Sequence, residues 1–363
     1  MRILYDYSAF VMQSRGGVSR VLYELMGHVS GVPGIECKVF AGFHRNQYLR
    51  DAPKHIKRHV IGWHLPEWMV KQRIFMPVNR WLFKYYARMF NPDVCHYTYF
   101  DTPHVPSGCK VVVTMHDMIH ELFADMFGTN EPHPVWKKNA VGRADGVICV
   151  SENTKKDLER FIDLGGKKVS VIHHGNSLAT VAPKKIDCSY SYLLYVGTRA
   201  VEYKNFDLVL RALARCMDRT ALHLVCFGGG AFSAAERKRI DEVGLVGRVH
   251  QMGGSDAVLA GYYAGAQALI YPSKYEGFGL PPIEAMGLGC PVLSSTAPPM
   301  PEIVGDAGWY FEPDDVEKTC EQILALANEE LRTDLIVKGS RREKMFTWAQ
   351  AAEEAVAFYR ELL

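Results

Sequence analysis

Residues Tyr271 to Val292 read YPSKYEGFGLPPIEAMGLGCPV. The apolar run Ala268–Tyr271 predicts a strand, and Pro281–Pro282 predicts the opening of a helix, where proline loses no internal hydrogen bond. Gly277 and Gly279 lie between them and let a ligand approach the backbone closely. A strand, a short loop and a helix N-terminus together aim several amides and the positive end of the helix at one place. That suits a phosphate or a sugar oxygen. Two carboxylates flank the loop. Glu276 stands at its entrance, and Glu284 is expected in the first helical turn, facing the same pocket mouth. Carboxylates accept hydrogen bonds from paired hydroxyls of the kind a hexose or a ribose presents. The plainer reading of Glu284, a helix N-terminal charge worth a few tenths to about 1 kcal/mol, stays open at this point.

Outward from this segment the same grammar repeats. Strands are predicted at Arg2–Tyr5, Cys37–Ala41, Val94–Tyr97, Lys110–Met115, Gly146–Val150 and Val169–His173. Others follow at Tyr192–Gly197, Ala221–Phe227, Val249–Met252 and Pro291–Ser294. Several are Val/Ile/Leu-rich without alternation, as in a parallel sheet buried on both faces. Helical spacing falls between them, in Val18, Leu22, Leu25, Met26 and Val29 and again in Phe206, Val209, Leu210 and Leu213. Strand–helix alternation through all 363 residues implies two doubly wound α/β domains. The boundary is set in the aperiodic stretch Asn176–Ser191. The expected division is 1–180, 190–345 and a C-terminal helical piece, 346–363, that packs back on the first domain.

A second loop of interest is VGTRAVEYKNFDLVLRAL, from Val196. Arg199 and Lys204 follow a strand's C-terminal end, where open α/β sheets bind ligands. A departing diphosphate needs cations where its charge gathers, although a loop Arg and Lys can equally be plain solvated charges. Gly228–Gly230 ends another strand. Phe232 and Ser233 stand where a GxGxxG fingerprint needs glycine, which excludes a NAD reading.

In the first half, Gly16–Gly17 opens a helix, as a tight turn or as a ligand contact. The string HDMIHE holds His116, Asp117, His120 and Glu121. His116 and His120 would imitate a metal pair only on a helix, and the run before them, VVVTM, is a strand. No metal is therefore expected, and Asp117 is read as orienting its loop. Ser151 begins a helix as an N-cap.

Lys plus Arg number 42 against 40 Asp plus Glu, so the net charge of +2 identifies no partner class. Nine cysteines without a C-x-x-C pair suggest reduced, buried thiols and neither disulfides nor zinc. No signal peptide or transmembrane stretch is read, which suggests a cytoplasmic chain. Residues 54–90 are distinctive. Lys54, Lys57, Arg58, Lys71, Arg73, Arg80, Lys84 and Arg88 face a single acid, Glu67, and are interleaved with Trp63, Trp68, Phe75, Trp81, Phe83, Tyr85, Tyr86 and Phe90. Two readings stand side by side: a peripheral patch at the inner membrane face, and aromatics filling the first domain's core. Single-stranded nucleic acid is disfavoured.

The Glu276–Glu284 string resembles the E-x7-E motif of the retaining GT-B glycosyltransferases of family four, and the other motifs occur in that family's order along nearly the whole chain. The resemblance implies two Rossmann-like domains facing across a cleft. It implies that Glu276 binds sugar hydroxyls, Glu284 the ribose, and Arg199 with Lys204 the pyrophosphate. Gly277, Phe278, Gly279 and Leu280 would offer amides to sugar and phosphate, with the base near Met252. Gly16, Gly17 and His116 would lie beside the donor, His116 touching an outer hydroxyl or the region of the anomeric carbon. The implied reaction is metal-independent and cofactor-free transfer from a nucleotide diphosphate sugar to a saccharide or lipid-linked acceptor. Retention accompanies the motif, and no residue is an evident nucleophile, so front-face displacement is expected. The three motifs together resemble members that use GDP-mannose or related sugars for surface polysaccharides. An epimerase, a phosphorylase, a hydrolase and a non-catalytic nucleotide-sugar-binding protein are the competing readings.

Overall fold

The computed structural model describes residues 1–69, 71–128 and 130–363; Val70, inside the 54–90 stretch, lies outside the described residues. The chain forms two compact units, Met1–Gly175 with Trp348–Leu363, and Asn176–Thr347. The linker stretch 176–191 thus belongs to the second unit, and the last helix to the first.

Unit 1 is built on β1 (Arg2–Tyr5), β2 (Glu36–His44), β3 (Val60–His64), β4 (Val94–Tyr97), β5 (Lys110–Met115), β6 (Gly146–Cys149) and β7 (Lys168–Val171). All pair in parallel, in the order β3-β2-β1-β4-β5-β6-β7. Unit 2 holds β8 (Tyr192–Val196), β9 (His223–Phe227), β10 (Val249–Met252), β11 (Ala268–Tyr271), β12 (Val292–Ser295) and β13 (Gly308–Phe311). Their order is β10-β9-β8-β11-β12-β13, again all parallel. Two strands escape the sequence patterns, β3 and β13. Both are edge strands, and an edge strand needs no apolar run buried on both faces.

The helix Trp348–Leu362 belongs to the core of unit 1. Its Phe358 ring lies where a side chain on Gly146 of β6 would reach, 2.8 Å from a Cβ built there. Its Tyr359 hydroxyl meets Tyr5 at 3.2 Å and His96 Nδ1 at 2.6 Å, and His96 Nε2 meets Thr114 Oγ1 at 2.8 Å. This buried polar chain is satisfied at each link, which is the condition for tolerating it in a core.

Burial leaves several imidazoles neutral. It pushes His96 down to about 3 and His44 and His116 to about 4, with His174 also well below its usual value. Burial has the opposite effect on Asp6, raised to about 7. Between about pH 6.5 and 4 the unfolded chain takes up protons at the four histidines that the folded chain refuses, while Asp6 counts against this by one. Stability therefore falls as pH drops through that window, by about 1.4 kcal/mol per pH unit for each net proton. Chemical denaturation at pH 7, 6, 5 and 4 should show a steep loss; a flat profile contradicts the assignment of neutral buried imidazoles.

Part of the 54–90 stretch fills the core of unit 1. In the helix Gln72–Phe90, Phe83 and Ala87 are fully buried, and Phe75, Tyr86 and Phe90 pack against the core. Ile74, Val78, Trp81, Tyr85 and Met89 stay exposed on the opposite face, with Trp81 at 70% and nearby Trp68 at 78%. All nine cysteines are free thiols, and seven are buried. Among the described residues no helix is long and apolar enough to cross a membrane.

Candidate functional site

The strand order of unit 2 fixes where a site can form. The chain runs outward from β8 to β9 to β10, then returns to place β11 on the other side of β8. At that reversal the loops leaving the carboxyl ends of β8 and β11 diverge and leave a crevice. Lys204 comes from the first loop and Glu276 from the second. Several bonds clamp the two loops together. The Lys274 N–H donates to the Tyr203 carbonyl at 2.7 Å, and Asn205 Nδ2 donates to the carbonyls of Pro272 at 3.1 Å and Pro313 at 2.6 Å. Asn205 holds a left-handed φ of 55°, a conformation asparagine tolerates better than most residues.

Lys204 Nζ donates to both oxygens of Glu276, at 2.6 and 2.8 Å. The Tyr271 hydroxyl bonds the same carboxylate, and burial together with that carboxylate raises the phenol well above its usual range. Side-chain exposure is 20% for Lys204 and 10% for Glu276, so the pair is desolvated yet reachable. Immediately beyond it Gly279, at φ 98°, caps the helix Leu280–Gly287. Only glycine suits this turn: a Cβ would add left-handed strain and sit 2.7 Å from the Met300 methyl. Pro281 and Pro282 occupy the first turn, as their fixed φ favours.

Two expectations need correction. The helix begins at Leu280, so Glu284 is its fifth residue and lies beyond the first turn. There it is buried and accepts a 3.0 Å bond from the Tyr263 hydroxyl. Arg199 does not present an open fork beside Lys204. Its Nε donates to Glu236 Oε1, Nη1 to the Gly228 carbonyl and Nη2 to the Gly230 carbonyl, each at 2.8 Å. Its side chain is 1% exposed and lies over the Phe232 ring at 4.8 Å. The guanidinium is the internal brace of the Gly228–Gly230 loop, whose three residues all have positive φ. A Cβ on Gly229 would strike the Gly197 carbonyl at 2.7 Å and Arg199 Nη1 at 2.8 Å.

The other residues singled out are reported by place. Met252 ends β10, and its carbonyl accepts the Gly228 N–H at 3.0 Å, which draws these loops together. Gly277 and Phe278 are buried in the loop between Glu276 and Gly279. A cavity of ≈ 500 Å³ beside the β8 loop is lined by Arg199, Asp207, Glu236 and Arg239 among others, and by none of Lys204, Glu276 and Glu284. Its charges are largely spent on one another, as in the Arg239–Asp207 contact at 2.5 Å.

In unit 1, Gly16 caps the helix Gly17–Val29, and the Ser19 N–H in its first turn donates to Gln13 Oε1 at 3.0 Å. His116 directly follows β5, at a strand end and not on a helix with His120. Its Nε2 is buried without a hydrogen-bond partner. Such an atom costs about 1–3 kcal/mol and is expected where a ligand completes it. Asp117 does orient its loop: it accepts the Ile119 N–H at 3.1 Å and Lys137 Nζ at 3.3 Å. Burial raises its carboxyl, and Lys137 and the Ile119 bond outweigh that and hold it below the usual range. Lys137, 1% exposed and also 2.8 Å from Glu121, is a residue the sequence reading missed. The Ser151 hydroxyl caps its helix through the Thr154 N–H.

Residues 15–179 match the family profile described as glycosyltransferase family 4, and residues 190–329 that described as glycosyl transferases group 1. Among curated proteins, the chain is similar to the O-antigen chain mannosyltransferase RfbU of Salmonella typhimurium, 29% identical over 64% of each chain. It is 40% identical to the O-antigen chain mannosyltransferase B of Escherichia coli over 28% of this chain and 26% of that one. The MMP alpha-(1->4)-mannosyltransferase of Mycolicibacterium hassiacum is 27% identical over 70% and 66% respectively. The chain thus spans from about a quarter to just under two thirds of the length of these relatives. Among solved structures, sucrose-phosphate synthase from Thermosynechococcus elongatus superposes with a TM-score of 0.79 at 21% identity, over 99% of this chain and 98% of that one. Anabaena Alr3699/HepE in complex with UDP and glucose gives 0.75 at 15%, over 99% and 100%. At these identities the likeness is one of fold.

Proposed function

The chain belongs to the glycosyltransferases of family 4 and group 1, and from that membership we propose that it moves a sugar from a nucleotide diphosphate sugar to an acceptor hydroxyl. The fold is GT-B. The observation that carries the reading is the Lys204–Glu276 pair beside the N-terminus of the helix Leu280–Gly287, at the reversal point of unit 2. In the proposed donor complex, Lys204 and the amides of Gly277, Phe278, Gly279 and Leu280 meet the pyrophosphate. Glu276 turns to the sugar hydroxyls, and Glu284 serves the ribose. Arg199 acts as a positioning residue through the Gly228–Gly230 loop, and Met252 borders the base. In unit 1, His116, Gly16 and Gly17 are proposed as ligand contacts; the orphaned His116 Nε2 supports the first of these.

The transfer is proposed to retain anomeric configuration by front-face displacement. The sugar–phosphate C–O bond breaks, the acceptor oxygen bonds to the same face, and the departing phosphate oxygen takes the acceptor's proton. Lys204 and the helix-end amides stabilise the charge arriving on the diphosphate, with no metal required. The donor is proposed to be GDP-mannose or a related GDP-sugar and the product a surface polysaccharide or glycolipid; the O-antigen chain mannosyltransferases among the relatives support the mannosyl group and the polysaccharide. A thermal-shift panel of UDP, GDP, ADP and their sugars should show the largest rise with GDP and GDP-mannose. A larger rise with UDP or ADP overturns the base assignment. Nucleoside diphosphate released only when acceptor is present separates transfer from epimerisation and from simple binding.

A lipid-linked acceptor would be met at the inner membrane face. The exposed stripe Ile74, Val78, Trp81, Tyr85 and Met89, flanked by Lys71, Arg73, Lys84 and Arg88, supports a peripheral contact. Each nearby base contributes about 1 kcal/mol at an anionic surface. Co-sedimentation with anionic vesicles should be strong in low salt, weak in high salt, and reduced by Trp81→Ala. Equal binding to neutral vesicles, or none, removes the contact.

A further inference from the structure

Unit 1 contains a cluster that the transfer chemistry leaves unused. His120 lies on the short helix Ile119–Leu122, His133 begins the helix His133–Arg143, and Glu131 stands just ahead of it. Each offers one ligand atom, and the three lie within 4.8 Å of one another. The two imidazoles are stacked, centroids 4.2 Å apart and 11° from parallel. Glu131 Oε1 touches His133 Nδ1 and lies 4.0 Å from His120 Nε2. The Glu131 carboxylate is also held by the His133 backbone N–H at 3.2 Å. The Phe127 ring packs on His120 at 4.5 Å and the Trp136 ring on His133 at 5.1 Å, which gives the group an apolar wall.

His120 Nδ1 is buried and has no hydrogen-bond partner. A buried ring nitrogen is not left so without cost. Two stacked imidazoles around one carboxylate also leave more lone pairs than local donors. We propose that His120, Glu131 and His133 bind one divalent transition ion of the zinc class, with solvent completing the coordination. Two nitrogens and one oxygen form a ligand set that zinc accepts. Bond lengths near 2.0–2.1 Å put ligand atoms ~3.3 Å apart in a tetrahedral site, so side-chain shifts of about an ångström suffice. The ion ties residue 120 to residues 131–133 and so closes the segment beyond Asp117 and Glu121, both of which Lys137 grips from the helix His133–Arg143. Its role is to order that segment. The ligands share no residue with the Lys204–Glu276 site, and sugar transfer does not depend on the proposal.

The test uses the full chain without an affinity tag, stripped of metal. Titration with Zn²⁺ alone should show one saturable equivalent and a rise in melting temperature, and Co²⁺ should give a visible absorption band. His120→Ala and His133→Ala should each abolish the band, while His55→Ala, at an exposed histidine, leaves it. Glu131→Gln should weaken binding roughly tenfold or more; as a near-isosteric change in a partly exposed side chain, it keeps the test valid if a histidine variant fails to fold. Absence of saturable binding, or a band that survives both histidine substitutions, overturns the proposal.

Discussion

Lys204→Ala is expected to lower kcat about 10²–10³-fold, equivalent to ~3–4 kcal/mol of transition-state stabilisation, the range seen when a preorganised charge or donor is removed from a site of developing anionic charge. The reasoning is local. Lys204 is the cation that the β8 loop delivers to the crevice, since Arg199 is committed elsewhere. In the absence of donor it neutralises Glu276; with a diphosphate present it has a second anion to serve. Its removal takes the cationic partner from Glu276 and leaves the Tyr271 hydroxyl bonded to that carboxylate. Loss of the cation from a largely desolvated pair should lower the melting temperature measurably, while the fold survives because Glu276 keeps the Tyr271 hydroxyl and the pair is still reachable by solvent. Lys204→Arg should recover part of the rate. Steady-state kinetics on the folded variant check this, and a rate near wild type removes Lys204 from the mechanism.

Arg199→Ala is expected to do the reverse and act first on stability. The side chain is 1% exposed, and its loss takes the donor from Glu236 Oε1 and from the Gly228 and Gly230 carbonyls, leaving Glu236 Oε2 with the Ser233 N–H. Breaking a buried, hydrogen-bonded ion pair by removing one partner typically costs about 3–5 kcal/mol. For a unit of this size that corresponds to a melting-temperature drop on the order of 10 °C. Arg199→Lys should recover little, because an ammonium cannot span three acceptors held in a fork geometry. Thermal denaturation decides it. A variant with unchanged melting temperature and a large loss of donor affinity would restore the direct phosphate contact.

The loop between β11 and the helix Leu280–Gly287 was legible in sequence because its signals are local: an apolar strand, two glycines, two prolines and two carboxylates within one short stretch. The parallel α/β architecture was legible for a similar reason, since central strands are apolar on both faces. The limits were non-local. Glu236 lies 37 positions from Arg199 and Tyr263 lies 21 from Glu284, and no local pattern announces either pairing. Lys137 sits in a helix with a polar look, yet it is among the most buried side chains of unit 1. Glu284 was misplaced by a single residue at the helix start, because Leu280 and not Pro281 is the first helical position. The edge strands β3 (VIGWH) and β13 (GWYF) carry glycine and aromatic residues in place of the Val/Ile/Leu runs that mark the central strands. That Lys204 and Glu276 meet depends on β8 and β11 being adjacent, a property of the fold and not of either loop.

Calorimetric titration of the wild type and of Lys204→Ala with GDP and with guanosine bears most directly on the proposed pyrophosphate contact of Lys204. Wild type should bind GDP at least an order of magnitude more tightly than guanosine, ~1.4 kcal/mol or more, and the substitution should erase most of that difference while leaving guanosine unaffected. Equal affinities for GDP in the two proteins would contradict the account.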